Sequence, residues 1–213
     1  MCSHYQRMKA WRGYVEEFSE TRLPLRFPEP QAAPNLEPQA SIRPTDPAPV
    51  FRLREDGVEM VQARWWLVFK LATFNARSET VATARTFRDS FKQRRCLVAA
   101  EGWYEWTGPK GNKTKWLFAP KDGAPICFAG LWDRCNTADV GEVENFTIIT
   151  QPAGSPLNAY HDRAPVVLQQ VDWSIWLDPD ADVRSLLGPE SADAFTVTHG
   201  SGPKALPDEL LNS

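Results

Sequence analysis

A curved, mainly antiparallel sheet or open barrel with short peripheral helices, an α+β fold, is what the sequence predicts. Short apolar runs of strand character recur along the chain, turn residues separate most of them, and 18 prolines argue against long helices. Nine Trp and eleven Phe supply material for a core, and 213 residues suit one domain rather than two. Residues 1–213 are therefore read as a single unit.

Met8, Trp11, Val15 and Phe18 fall at helical spacing and predict a short amphipathic helix within 5–20, with Cys2 just ahead of it. Residues 23–49 are dense in Pro, Ala, Glu and Gln, show neither strand nor helix period, and read as an irregular segment. Strand-like runs occupy 49–55, 59–69, 95–107, 115–120, 125–133, 145–152 and 165–169. GPKGN at 108–112 and KDGAP at 121–125 are turn signals that suit antiparallel meanders. Helical patches interrupt the strands at about 79–92 and about 171–187, and no internal repeat is present.

Composition narrows the classes of function. No stretch approaches the roughly 18 apolar residues of a membrane span, and the amino terminus lacks a signal-peptide core, so a cytoplasmic protein with no membrane partner is expected. The four cysteines, Cys2, Cys96, Cys127 and Cys135, form no CxxC pair and no zinc-like set with histidine, so neither a disulfide framework nor a metal is expected. The net charge of −3 conceals an asymmetry: residues 1–120 carry +6 and residues 121–213 carry −9. An anionic partner would meet the first part.

Four segments can carry chemistry. Removal of Met1 leaves Cys2 with an α-amine and a thiol on one residue; their ordinary pKa values, about 7.7–8.0 and about 8.5, make both nucleophilic near neutrality. Such a 1,2-aminothiol takes an aldehyde as an imine and closes it into a thiazolidine. In the stretch 73–80, Asn75 offers donor and acceptor and Arg77 a planar fork for phosphate, although Ser78 and Glu79 also fit a plain helix start. In EGWYEW at 101–106, strand alternation puts Trp103 and Glu105 on one face. Burial there would raise the Glu105 pKa and make it a proton shuttle; Glu101 shares that face, and spacing does not choose between them. His161, flanked by Asp162 and Arg163, leads into a strand that could hold it still.

In combination and in this order, NARSET, EGWYEW, the FTIIT strand at 146–150 and HDRAPVVL resemble the SRAP family, the SOS-response-associated peptidase or abasic-site processing proteins, over most of the chain. The resemblance implies a DNA-damage protein whose Cys2 forms a thiazolidine crosslink with an abasic site, with lyase-type cleavage as a side reaction. It implies that Asn75 orients the terminus and the opened sugar, that Glu105 transfers protons, and that His161 assists sugar-ring opening. It further implies that Arg77, Arg85 and Arg163 hold flanking phosphates, with Trp65 or Trp66 near the bases and a strip from Arg85 to Arg95 along the backbone. No cofactor is implied. The partner is single-stranded DNA, or its junction with duplex, bound by a monomer that joins the nucleoid only at damage.

The chain departs from the family pattern at Ser3 and His4, where Gly-Arg is usual, so His4 is left as a weak substitute for a phosphate-binding arginine. Residues 64–69 read RWWLVF in place of Arg-Trp-Gly-Leu-Ile-Pro, and Ala164 replaces a methionine. Two other readings share the same residues. One is a thiol peptidase using Cys2 and His161, for which no oxyanion site is evident; the other is a non-catalytic single-strand binding module that stacks bases on tryptophan.

Overall fold

The structure is a computed structural model that describes residues 2–21, 25–26, 36–69, 71–137, 141–188 and 192–200. The amino-terminal third contains β1 (Tyr5–Arg7), α1 (Trp11–Ser19), β2 (Leu25–Arg26), β3 (Gln39–Ile42), β4 (Pro47–Arg54) and β5 (Gly57–Trp65). A small hairpin of β6 (Leu67–Phe69) and β7 (Leu71–Thr73) leads to β8 (Asn75–Arg77), α2 (Arg88–Gln93), β9 (Arg95–Ala100) and β10 (Gly102–Thr107). The remainder holds β11 (Thr114–Pro120), β12 (Ile126–Thr137), β13 (Gly141–Pro152), β14 (Arg163–Pro165), β15 (Val167–Gln169), α3 (Trp173–Leu177) and β16 (Phe195–His199).

Strands β13, β12, β9, β4 and β5 follow one another by antiparallel pairing, and β5 returns to β13 in parallel at Asn145↔Arg64 and Phe146↔Trp65. Five strands thus close a barrel, and an odd ring requires one parallel step. The barrel is closed where the sequence left it open. A second, open sheet runs β16-β11-β10-β1-β3. One core cluster joins barrel residues such as Val50, Trp65, Val98 and Phe128 to Cys2, Tyr5, Trp103 and Phe118 of the second-sheet region. The other packs Phe51, Leu97 and Ile149 against Tyr14 and Phe18 of α1 and Trp173 and Trp176 of α3.

Local chemistry explains where the elements differ from expectation. The expected helix over 5–20 divides, because Tyr5 and Arg7 alternate with Gln6 in a strand register and bury against the second sheet. Arg7 is tolerated there because it donates to the carbonyls of Lys9 (2.6 Å) and Glu37. The run 95–107 breaks at Glu101: a Cβ at Gly102 would stand 2.4 Å from the Phe118 carbonyl oxygen, so only glycine allows β10 and β11 to approach so closely. The patch at 79–92 is helical only over Arg88–Gln93, since Thr80, Val81, Thr83 and Thr86 disfavour helix in the preceding turns. The patch at 171–187 is interrupted after Leu177, where Asp178 is extended ahead of Pro179, and is helical again only as a 3-10 turn over Arg184–Leu187. Within 23–49, β2, β3 and the start of β4 are strands; residues 23–24 and 27–35 lie outside the described residues.

Candidate functional site

The site lies where the barrel meets the second sheet. β1 is threaded between β3 and β10, and the amide of Tyr104 donates to the carbonyl of His4 (2.9 Å), which carries Cys2 to the mouth of β8. β8 runs parallel to β13, with Asn75 opposite Ile148. The Asn75 Nδ2 donates to the Cys2 carbonyl at 2.7 Å, across 73 positions of sequence. Asn75 is buried and its Oδ1 has no hydrogen-bond partner among the described residues. An acceptor left open beside Cys2 is costly unless something fills it.

Glu105 is buried at 4% exposure on β10, on the Trp103 side as alternation requires. Burial pushes its pKa up to about 7; the positive amino terminus opposes that rise and the carboxylate of Asp162 adds to it. Glu101 is not an alternative. It accepts from the Tyr14 hydroxyl at 3.1 Å and from the Met8 amide, which ties it to α1 and β1. The Cys2 thiol is wholly buried and its pKa is pushed far up, by desolvation first and by the charge of Glu105 second. Desolvation thus works against the thiolate that the sequence led one to expect near neutrality.

His161 follows a 3-10 turn (Leu157–Ala159) whose Leu157 is buried, and Tyr160 packs edge-on against Trp116 and Phe118. Its pKa is lowered, by burial first and by the amino-terminal charge second, so the imidazole is neutral at pH 7. Its Nδ1 accepts the Arg163 amide at 2.9 Å, while Asp162 Oδ1 lies 2.8 Å from the same nitrogen. Both cannot be satisfied by one neutral tautomer. Asn75 is bonded to Cys2, the charge of Glu105 acts on the Cys2 thiol, and the charge of Asp162, beside His161, acts on Glu105, which links four separate segments.

The residues expected to touch DNA divide. Arg77 and Arg85 are exposed. Arg163 is half-buried; in the free protein its guanidinium grips Glu79 at two points and donates to the Thr150 carbonyl at 2.6 Å. Trp65 is fully buried, its Nε1 donating to the Phe74 carbonyl (2.8 Å) and its ring edge-on to Tyr5, so it cannot stack on a base. Trp66 is partly exposed beside Phe74. In the strip from Arg85 to Arg95, Arg88 and Lys92 are exposed, whereas Arg94 pairs with Asp133 (3.0 Å) and Arg95 is buried, donating to backbone carbonyls that include those of Trp176 and Phe91. His4 is buried between Tyr104 and Trp106 and bonded to Ser41; burial, then Lys115 and Arg43, lowers its pKa to about 4. It is neutral at pH 7 and does not replace an arginine.

Two contributors were not visible in the sequence reading. Thr150 accepts at its carbonyl from both the Ser78 amide (2.8 Å) and Arg163, and so lies under both site loops. Glu79 reaches Arg163 across 84 positions, a pairing that no spacing rule indicates. Among the described residues no group of three or more His, Cys, Asp or Glu is placed to hold a metal, and no helix is long and apolar enough to cross a membrane.

The family model for SRAP, SOS response associated peptidase, matches residues 1–201. The chain belongs to the SRAP family. Over its whole length it is 28% identical to the whole of abasic site processing protein YoqW of Bacillus subtilis (strain 168). It is 34% identical over 114 residues to abasic site processing protein YedK of Escherichia coli (strain K12), covering 53% of this chain and 50% of that protein. A solved protein from Bordetella bronchiseptica superposes with a TM-score of 0.74 at 28% identity, covering 93% of this chain and 99% of that one. The barrel and open sheet described above are therefore an SRAP fold.

Proposed function

We propose that this SRAP chain processes abasic sites in DNA by covalent capture through Cys2. The observation that supports it best is the bond from Asn75 to the Cys2 carbonyl beside a buried Glu105 with a pKa near 7. That bond fixes the residue that becomes the amino terminus once Met1 is removed. The Asn75 Oδ1, which has no hydrogen-bond partner among the described residues, is the acceptor that this reading assigns to the α-amine.

The abasic sugar exists mainly as a closed hemiacetal. His161 acts at its ring oxygen to open it, exposing the C1′ aldehyde. The Cys2 amine adds to C1′, forming a C–N bond; Glu105 in its protonated form assists loss of the hydroxyl as water, leaving an imine. The sulfur then adds to the same carbon, the thiol proton passes through Glu105 to the nitrogen, and the ring closes. Amine, thiol and aldehyde give one thiazolidine and one water. A carboxyl with a pKa near 7 can both give and take these protons at neutral pH. A thiol kept protonated by burial suits this order, amine first and sulfur second, and suits a thiolate peptidase poorly. Arg77 and Arg85, with Trp66, would hold the single strand or its junction with duplex.

Purified protein with its terminus verified by mass spectrometry, incubated with a single-stranded oligonucleotide bearing one abasic site, is expected to give a shifted band on a denaturing gel. The band should vanish with Cys2→Ala and with undamaged DNA. No band from fully processed protein overturns the proposal.

A further inference from the structure

We infer that Glu79 is a positioning residue for His161: it anchors Arg163 as a strut between the loop that follows Asn75 and the loop that carries His161. This rests on the reading of His161 given above. Glu79 lies just beyond β8, two residues after Arg77, and Arg163 is the first residue of β14. β8 and β14 both pair with β13 around Thr150, where Thr150 faces Arg77 on one strand and Pro165 on the other. The Glu79–Arg163 pair spans that strand. Its two-point grip, with Nη2 to Oε2 at 2.9 Å, fixes direction as well as distance, which a lysine or a single contact would not. The third contact, Nη2 to the Thr150 carbonyl at 2.6 Å, ties the strut to the strand beneath.

The consequence falls on the imidazole. The amide of the same Arg163 reaches His161 Nδ1 at 2.9 Å. While that contact holds, Nδ1 is an acceptor and the proton of the neutral ring sits on Nε2, which makes His161 a donor toward a sugar oxygen. Asp162, whose carboxylate is 2.8 Å from Nδ1 and whose side chain is 86% exposed, favours the opposite tautomer, with the proton on Nδ1. Anchoring Arg163 selects the first arrangement over the second.

Nitrogen-15 NMR of the imidazole in the DNA-free protein tests the strut without relying on crosslinking. Wild type and Glu79→Asp should show His161 protonated on Nε2, whereas Glu79→Gln should move toward the Nδ1 form with the fold intact by circular dichroism. In crosslinking assays Glu79→Gln should be slowed roughly 10-fold on a natural abasic site, in line with a small misplacement of a reacting group. An oligonucleotide carrying an acyclic aldehyde, which needs no ring opening, should react at wild-type speed. Adding Glu79→Gln to His161→Ala should cost nothing further. An unchanged tautomer in Glu79→Gln overturns the inference. A failure of wild-type crosslinking alone, with the tautomer shift present, overturns the proposed function and leaves the strut standing.

Discussion

Glu101 and Glu105 stand four residues apart in the same sequence run, yet they occupy two regions with opposite physics. Glu101, at the break before β10, accepts hydrogen bonds from the Met8 amide and the Tyr14 hydroxyl and joins α1 to the residue that follows β1. Glu105, further along β10, is buried beside Cys2 with its pKa raised to about 7. A carboxylate held by an amide and a hydroxyl is a structural tie; one kept from solvent has its pKa raised toward neutrality, as the proposed proton carrier requires. The difference shows that a site is made by what the fold withholds from a side chain as much as by what it supplies.

The comparison can be pressed hardest at Glu105. Exchange to glutamine should slow crosslinking by roughly 100-fold, the low end of what positioned acid–base catalysis supplies. It should also abolish the limb of the pH–rate profile near 7. The same variant should be more stable at alkaline pH. A folded pKa raised from 4.5 to about 7 means that the native state binds its proton more tightly than the unfolded chain does. Stability is then complete below about pH 4.5 and falls as pH rises through 7, by roughly 3 kcal/mol at most. Glu105→Gln removes that loss, so thermal melts should favour the variant at pH 8 and not at pH 4. Equal melting at pH 8 would refute the burial argument. Glu101→Gln should do the reverse, lowering stability by about 2 kcal/mol in urea titration while the folded fraction crosslinks at the wild-type rate. The smallest effect belongs to Tyr14→Phe, which deletes one bond to Glu101 and should cost about 1 kcal/mol with no change in crosslinking rate.

Strand runs with strong apolar patterns, such as 125–133 and 145–152, were legible because each is long enough to declare its period. The three-residue strands β1 and β8 were not, since their existence depends on partners about 70 to 100 positions away. Asn75, Glu105 and His161 could be singled out by residue type, and family resemblance added their roles. Burial could not be read so easily: Trp65 looked as available as Trp66, and His4 looked like a weak substitute for an arginine. Arg163 looked free because its carboxylate partner lies 84 positions away. Tertiary pairing decides each of these, and one sequence holds no record of it.

Cys2 has no exposed surface, and the strand that it leads into is pinned to β10. On the proposed function, which needs the Cys2 amine free, Met1 would have to leave before β1 docks and buries Cys2. Docking waits for Trp103, the partner of Tyr5, to be synthesised. At about 5–20 residues per second, roughly 100 residues take about 5–20 s. If Cys2 is the nucleophile proposed above, the time for freeing its amine is the interval between the emergence of the amino terminus and the arrival of β10.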